Sequence, residues 1–161
     1  MIIDQKDYVT PKNGLVLRYK GTFDFKKLYN SSKEWFDKLN YDFNEKEYNE
    51  KPVAAGTEFK LVFEAKRDIN EFISFQISPT LHFFDVKKSD GKNYGKIKIK
   101  IPAYILLDKE NKWQSNPFKK FLFFFYCNFT IRKEIENVYE DKLYSEVLDF
   151  INTLKKFIRV R

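Results

Sequence analysis

The chain has 161 residues, of which 43% are hydrophobic, 19% aromatic and 33% charged, and its net charge is +7. That length suits one domain spanning 1–161, and a domain of this size buries roughly 68–70% of its unfolded surface. Five Gly and five Pro exclude a low-complexity chain, and thirty aromatic residues exclude a disordered one.

One Cys excludes a disulfide within the chain, and one Cys with one His cannot furnish the four ligands of a structural zinc site. Asp4, Lys6 and Asp7 interrupt the first ten residues, so no apolar leader is read there. The longest apolar run, Phe121 to Cys127, has seven residues against the roughly 20 needed to span a bilayer. A cytoplasmic location is the expectation.

In chain order, Leu15 to Lys20 reads as a strand with Leu15, Leu17 and Tyr19 on one face. Asp24 is a candidate N-cap, after which Phe25, Leu28, Tyr29, Ser32, Trp35, Phe36 and Leu39 recur at helical spacing. Asn44 to Lys51 reads as a short edge strand. Glu58 to Lys66 alternates cleanly, with Phe59, Leu61, Phe63 and Ala65 inward, and turns at Arg67 to Asn70. The return strand sends Ile73, Phe75 and Ile77 inward. Pro79 interrupts it, and Leu81 to Val86 carries it on past a bulge.

Ser89 to Lys92 is a turn signal, leading to the strictly alternating strand Lys96 to Ile101. Pro102 breaks that strand before Tyr104 to Leu107. Asn116-Pro117 then opens a helical region as N-cap and first residue. Two apolar stripes follow. Phe118, Phe121, Leu122, Phe125 and Phe129 form the first, expected to face inward; Leu143, Val147, Phe150, Ile151, Leu154, Phe157 and Ile158 form the second. Between them, Thr130 to Asp141 is weakly patterned, and a bend or break is expected there.

These elements make an α+β domain, an antiparallel β-sheet packed on a long C-terminal helix and an N-terminal amphipathic helix. Their order resembles the helix-grip fold of the START and Bet v 1-like superfamily. That resemblance implies a curved sheet wrapped around the last helix, with an apolar ligand often held between them. It covers nearly the whole chain as topology and carries no motif, so it assigns no functional residue.

The residues favour a binding domain over an enzyme. No Gly-rich phosphate loop, Gly-x-Ser-x-Gly or His-Glu-x-x-His is present, and no cofactor is expected. His82 could contact a ligand or move a proton, but a structural His is the plainer reading. Cys127 reads as a small buried hydrophobe, and Asp85 as an acid near the end of a buried strand. Candidate ligand-binding residues at the seam between sheet and C-terminal helix are Phe63, Phe75, His82, Phe83, Ile99, Phe121 and Phe125, for a small apolar ligand or a protein partner.

Basic residues supply the alternative. Lys87, Lys88, Lys96, Lys98 and Lys100 cluster around one acid, Asp90, and Lys155, Lys156, Arg159 and Arg161 end the chain without any. Lys96, Lys98 and Lys100 share one sheet face, about 7 Å apart. An adaptor for nucleic acid, a ribosome or an acidic partner would use them. The 25 Lys outnumber the 5 Arg, however, and base readers favour Arg.

Overall fold

The structure, a computed structural model, describes residues 4–158. Strands β1 (Lys6–Tyr8) and β2 (Leu15–Phe23) precede helix α1 (Phe25–Lys38). Next come β3 (Asp42–Val53), β4 (Gly56–Asp68), β5 (Ile73–Ile77), β6 (Thr80–Ser89), β7 (Lys92–Ile101) and β8 (Ala103–Leu107). The helical region comprises α2 (Pro117–Phe125), a π-helical segment Tyr126–Thr130, α3 (Arg132–Glu134), a second π-helical segment Ile135–Glu140, and α4 (Asp141–Lys155).

All strand pairs are antiparallel, in the order β1-β8-β5-β4-β6-β7-β2, with β3 on the other edge of β4. Prolines divide what would otherwise be longer strands. The amide-less Pro79 separates β5 from β6, and Pro102 separates β7 from β8, yet Ile77 still pairs Ala103 and Thr80 pairs Lys100. Two long bent strands therefore lie side by side, and the sheet curls into a half-barrel around the C-terminal helices.

Local chemistry sets the turns as the sequence implies. Asp24 caps α1 by accepting from the Lys27 amide at 3.0 Å, and Asn116 caps α2 by accepting from Lys119 at 2.8 Å. Asp90 and Gly91 have φ of 52° and 74°, the two left-handed residues of a tight hairpin turn. The β6 bulge falls later than Pro79, between Phe84 and Lys87. Gly95 of β7 packs against it; a Cβ there would lie 2.8 Å from the Phe84 carbonyl oxygen.

The inner sheet face and the helices share one core. Leu61, Phe63, Phe75, Phe83 and Ile99 of the sheet are fully buried with Phe36 of α1 and Phe150 of α4. Trp35 and Phe36 each place a ring centroid 5.0 Å from that of Phe150, and the Trp35 indole donates to Asp149 at 2.8 Å. The terminal stripe buries Leu143, Val147, Phe150, Leu154 and Ile158, as its spacing predicts, while Ile151 is only half-buried. A polar tie crosses the same seam. Arg67 of β4 meets Glu146 of α4 at 2.8 Å and the Leu39 carbonyl at 2.9 Å, and the Tyr41 hydroxyl donates to Glu146 at 2.8 Å.

The helical region corrects one expectation. The stripe Phe118, Phe121, Phe125 and Phe129 does not enter the core. Their exposures are 69%, 61%, 51% and 68%, and Leu122 is half-buried. Phe123 and Cys127 point inward instead. From Phe121 to Cys127 the helix is apolar on every side, so periodicity selects no face. Contacts select it. Phe72, in the turn between β4 and β5, takes Phe123 at 6.2 Å and Tyr126 at 5.6 Å between ring centroids. The break expected within Thr130 to Asp141 is present as the two π-helical segments, the first of which starts earlier, at Tyr126.

Candidate functional site

Three places are open to function: the seam, the outer face of the sheet, and α2. On the inner face of the sheet, aromatic rings of the strands and of α1 pack on one another. Phe43 and Phe63 lie 4.8 Å apart between ring centroids, Phe25 and Phe83 5.1 Å, and Phe23 and Phe83 5.4 Å. Of the sequence candidates, Phe63, Phe75, Phe83 and Ile99 are fully buried core residues. His82 lies on the opposite sheet face, and Phe121 and Phe125 stand outside on α2. These seven residues therefore do not line a common surface.

The outer sheet face gathers cations from two strands. In the β2–β7 register, Arg18 pairs Lys98 and Lys20 pairs Lys96, while Val16 pairs Lys100. Arg18, Lys20, Lys96 and Lys98 line an open depression of about 370 Å³ with Tyr19, Phe84 and Ile97. Arg18 and Lys20 carry no signal in their own segment. The signal is the alternation that puts Leu15, Leu17 and Tyr19 inward and leaves them outside. Beside the depression, His82 meets Glu58 at 2.5 Å and lies against Phe84, ring centroids 3.9 Å apart and planes tilted by 32°. Asp85 is not at the end of a buried strand: it sits in the β6 bulge at φ 54°, with its carboxylate 4.0 Å from Lys96. Lys87 pairs Tyr94 and Lys88 pairs Asn93 beyond that bulge. Lys155 and Lys156 are exposed at the end of α4, and Arg159 and Arg161 lie outside the described residues.

The third place is a groove of about 790 Å³ at the start of α2, lined by Lys112, Trp113, Asn116, Pro117, Phe118, Lys119 and Leu122. Asp108 shapes its approach. This buried acid accepts from the Lys112 and Trp113 amides, both at 2.9 Å, and from the Gln114 side chain at 3.0 Å. The turn so fixed stacks Trp113 on Tyr126, 4° from parallel with ring centroids 6.4 Å apart. Phe118 opens from the groove into the exposed stripe, which continues to the contacting rings of Phe125 and Phe129, 5.1 Å apart.

A buried thiol and a half-buried carboxyl are both held well above their ordinary pKa. Burial pushes the Cys127 thiol up to about 12, with the charges of Asp108 and Asp7 adding to it, so it is no nucleophile at neutral pH. Glu140, on the second π-helical segment, is raised to about 8 by burial first, then by its hydrogen bond and proximity to Asp7. Asp7 Oδ2 is buried without a hydrogen-bond donor. A proton on Glu140 makes that residue the donor within the pair. Sequence reasoning had no signal for it, because the two acids lie on β1 and on the π-helical segment.

Among the described residues no cluster of three or more His, Cys, Asp and Glu could hold a metal ion, and no helix is long and apolar enough to cross a membrane. Compared with protein families, curated proteins and solved structures, the chain matches none.

Proposed function

We propose that this protein is a non-catalytic binding domain on a helix-grip-like scaffold, acting in the cytoplasm and docking an apolar partner through the outer face of α2. The observation that carries this reading is the line of Phe118, Phe121, Phe125 and Phe129 left in solvent by a chain whose other described phenylalanines are all buried or half-buried. Close ring packing of α1 on the sheet and on α4 favours this outer face over an internal ligand. The test compares wild type with Phe121→Ser/Phe125→Ser for binding of a hydrophobic fluorescent dye. Both positions are exposed, so thermal stability should change by no more than about 0.5 kcal/mol, while dye binding should largely disappear. Undiminished dye binding would move the apolar surface elsewhere, the seam included, and overturn the reading.

A second reading has its own support in the outer sheet face, where Arg18 and Lys20 join the Lys96–Lys100 row beside Phe84. Cations around an aromatic ring suit a single-stranded nucleic acid. Filter binding of a homopolymeric RNA would check this. Replacing Arg18, Lys96 and Lys98 with Gln should shallow the salt dependence by about 0.7 in log–log slope for each phosphate no longer neutralised. Absence of RNA binding at low salt would remove this reading.

A further inference from the structure

Charge says what kind of partner the α2 face fits. The segment 112–133, which holds the whole stripe, carries Lys112, Lys119, Lys120, Arg132 and Lys133 and no acidic residue. Lys112 and Lys119 rim the groove whose floor is Trp113, Pro117, Phe118 and Leu122. One acid intrudes, Glu110, which meets Lys112 at 2.9 Å, with both side chains open to solvent. Arg132 is likewise engaged with Glu136 at 2.7 Å; Lys119, Lys120 and Lys133 are in no ion pair among the described residues, and the Lys112–Glu110 pair, the more exposed of the two, is weak enough to yield to a phosphate. At roughly 200 Å² per phenylalanine, the exposures of the four rings leave about 500 Å² of aromatic surface in solvent. That matches the apolar share, somewhat over half, of the roughly 800 Å² per partner in a standard protein interface, so charge and not area selects the partner. It is ample for a short helix lying in a bilayer interface, where apolar side chains enter the acyl boundary and lysines meet headgroup phosphates.

We propose that α2 seats this protein on an anionic phospholipid surface, with Phe118, Phe121, Phe125 and Phe129 entering the acyl boundary and Lys112 and Lys119 binding headgroup phosphates. This inference rests on the apolar-docking reading above and names its partner. The geometry suits shallow seating. The side of α2 and its π-helical continuation that carries Phe123 and Cys127 stays packed on the protein, so the helix enters by one face only. Trp113, stacked on Tyr126 at the groove, places an indole where aromatic groups favour the boundary between headgroups and chains.

The experiment is co-sedimentation of the whole chain with vesicles of phosphatidylcholine alone or mixed with phosphatidylglycerol. Wild type should sediment with the mixed vesicles, much less with neutral ones, and less in high salt. Phe121→Ser/Phe125→Ser should release it from both. Lys112→Gln and Lys119→Gln should each weaken binding to mixed vesicles about fivefold, with dye binding retained. Unaltered melting curves confirm that every variant folds. A wild type that stays in solution with mixed vesicles at low salt overturns the lipid assignment. So does sedimentation that the Phe substitutions leave untouched, which would be charge adhesion alone. If the protein instead self-associates through Phe121 and Phe125 in light scattering and ignores vesicles, the lipid assignment fails and apolar docking stands. A wild type that binds neither dye nor vesicles and does not self-associate would remove both.

Discussion

Asp7 and Glu140 set the residue-scale behaviour that distinguishes this fold from a simple packed sheet. Two carboxyls share a partly buried contact, with Glu136 nearby raising the affinity of Glu140 for its proton and Arg132 lowering it. Glu140 holds its proton to about 8 when folded, against 4.5 ordinarily. Between those values the folded state binds more protons than the unfolded one, so the pair's contribution to stability is complete at lower pH and falls as pH rises through that window. Glu140→Gln keeps a donor to Asp7 and cannot ionise. It should therefore melt higher than wild type near pH 8 and alike near pH 4, a difference readable by thermal unfolding across buffers. Parallel pH profiles for the two proteins would mean that the fold does not hold the Glu140 proton above its ordinary range. Cys127 is the opposite case: a thiol held fully buried and neutral, it should resist alkylation in the native protein and react on unfolding.

At the scale of elements, α2 and α4 have similar apolar stripes and opposite fates. Along α4 the stripe is buried against the sheet and α1, so Leu154→Ala should cost about 2–5 kcal/mol. Ile151→Ala should cost less, because Ile151 is only half-buried. Both losses should be independent of protein concentration, since the burial is within one chain. Concentration-dependent melting would instead show that α4 packs between subunits. Along α2 the stripe faces solvent, and its truncation should leave the melting temperature nearly unchanged. Between α2 and α4 lie the wider turns of the two π-helical segments, Tyr126–Thr130 and Ile135–Glu140, and Ile131, which leaves helical geometry at φ −111° and ψ 7°.

Across the whole molecule, the Arg67, Glu146 and Tyr41 cluster ties the middle of the sheet to the last helix. The Arg67 guanidinium also lies over the Tyr41 ring at 4.6 Å and over Phe75 at 5.4 Å. Burial chiefly, and then Glu146, hold the Tyr41 hydroxyl well above its ordinary pKa, so it stays a donor at any physiological pH. Arg67→Met strands Glu146 in the seam and should cost about 3–5 kcal/mol, whereas Arg67→Met with Glu146→Leu should recover much of that loss. Denaturant titration of the single and double variants checks it. A double variant no more stable than Arg67→Met would mean that the cluster acts by shape rather than by charge.

Most elements and their inward faces were legible in the sequence, because they follow from local rules; the polar β1 and the full length of β3, which depend on pairing with β8 and β4, were not. Period-two alternation placed Leu61, Phe63, Ile97 and Ile99 inward, helical spacing placed Leu28, Trp35 and Phe36 of α1, and Asp24 and Asn116 announced their caps. The α+β class was legible for the same reason. Tertiary structure alone decided everything that depends on which surfaces meet. Opposing Arg18 and Lys20 to Lys98 and Lys96 required the β2–β7 register, and joining Asp7 to Glu140 or Arg67 to Glu146 required distant segments to dock. The α2 stripe is the clearest instance. A helix apolar on all sides has no preferred face until a neighbour such as Phe72 claims one, and the face left over became the candidate site.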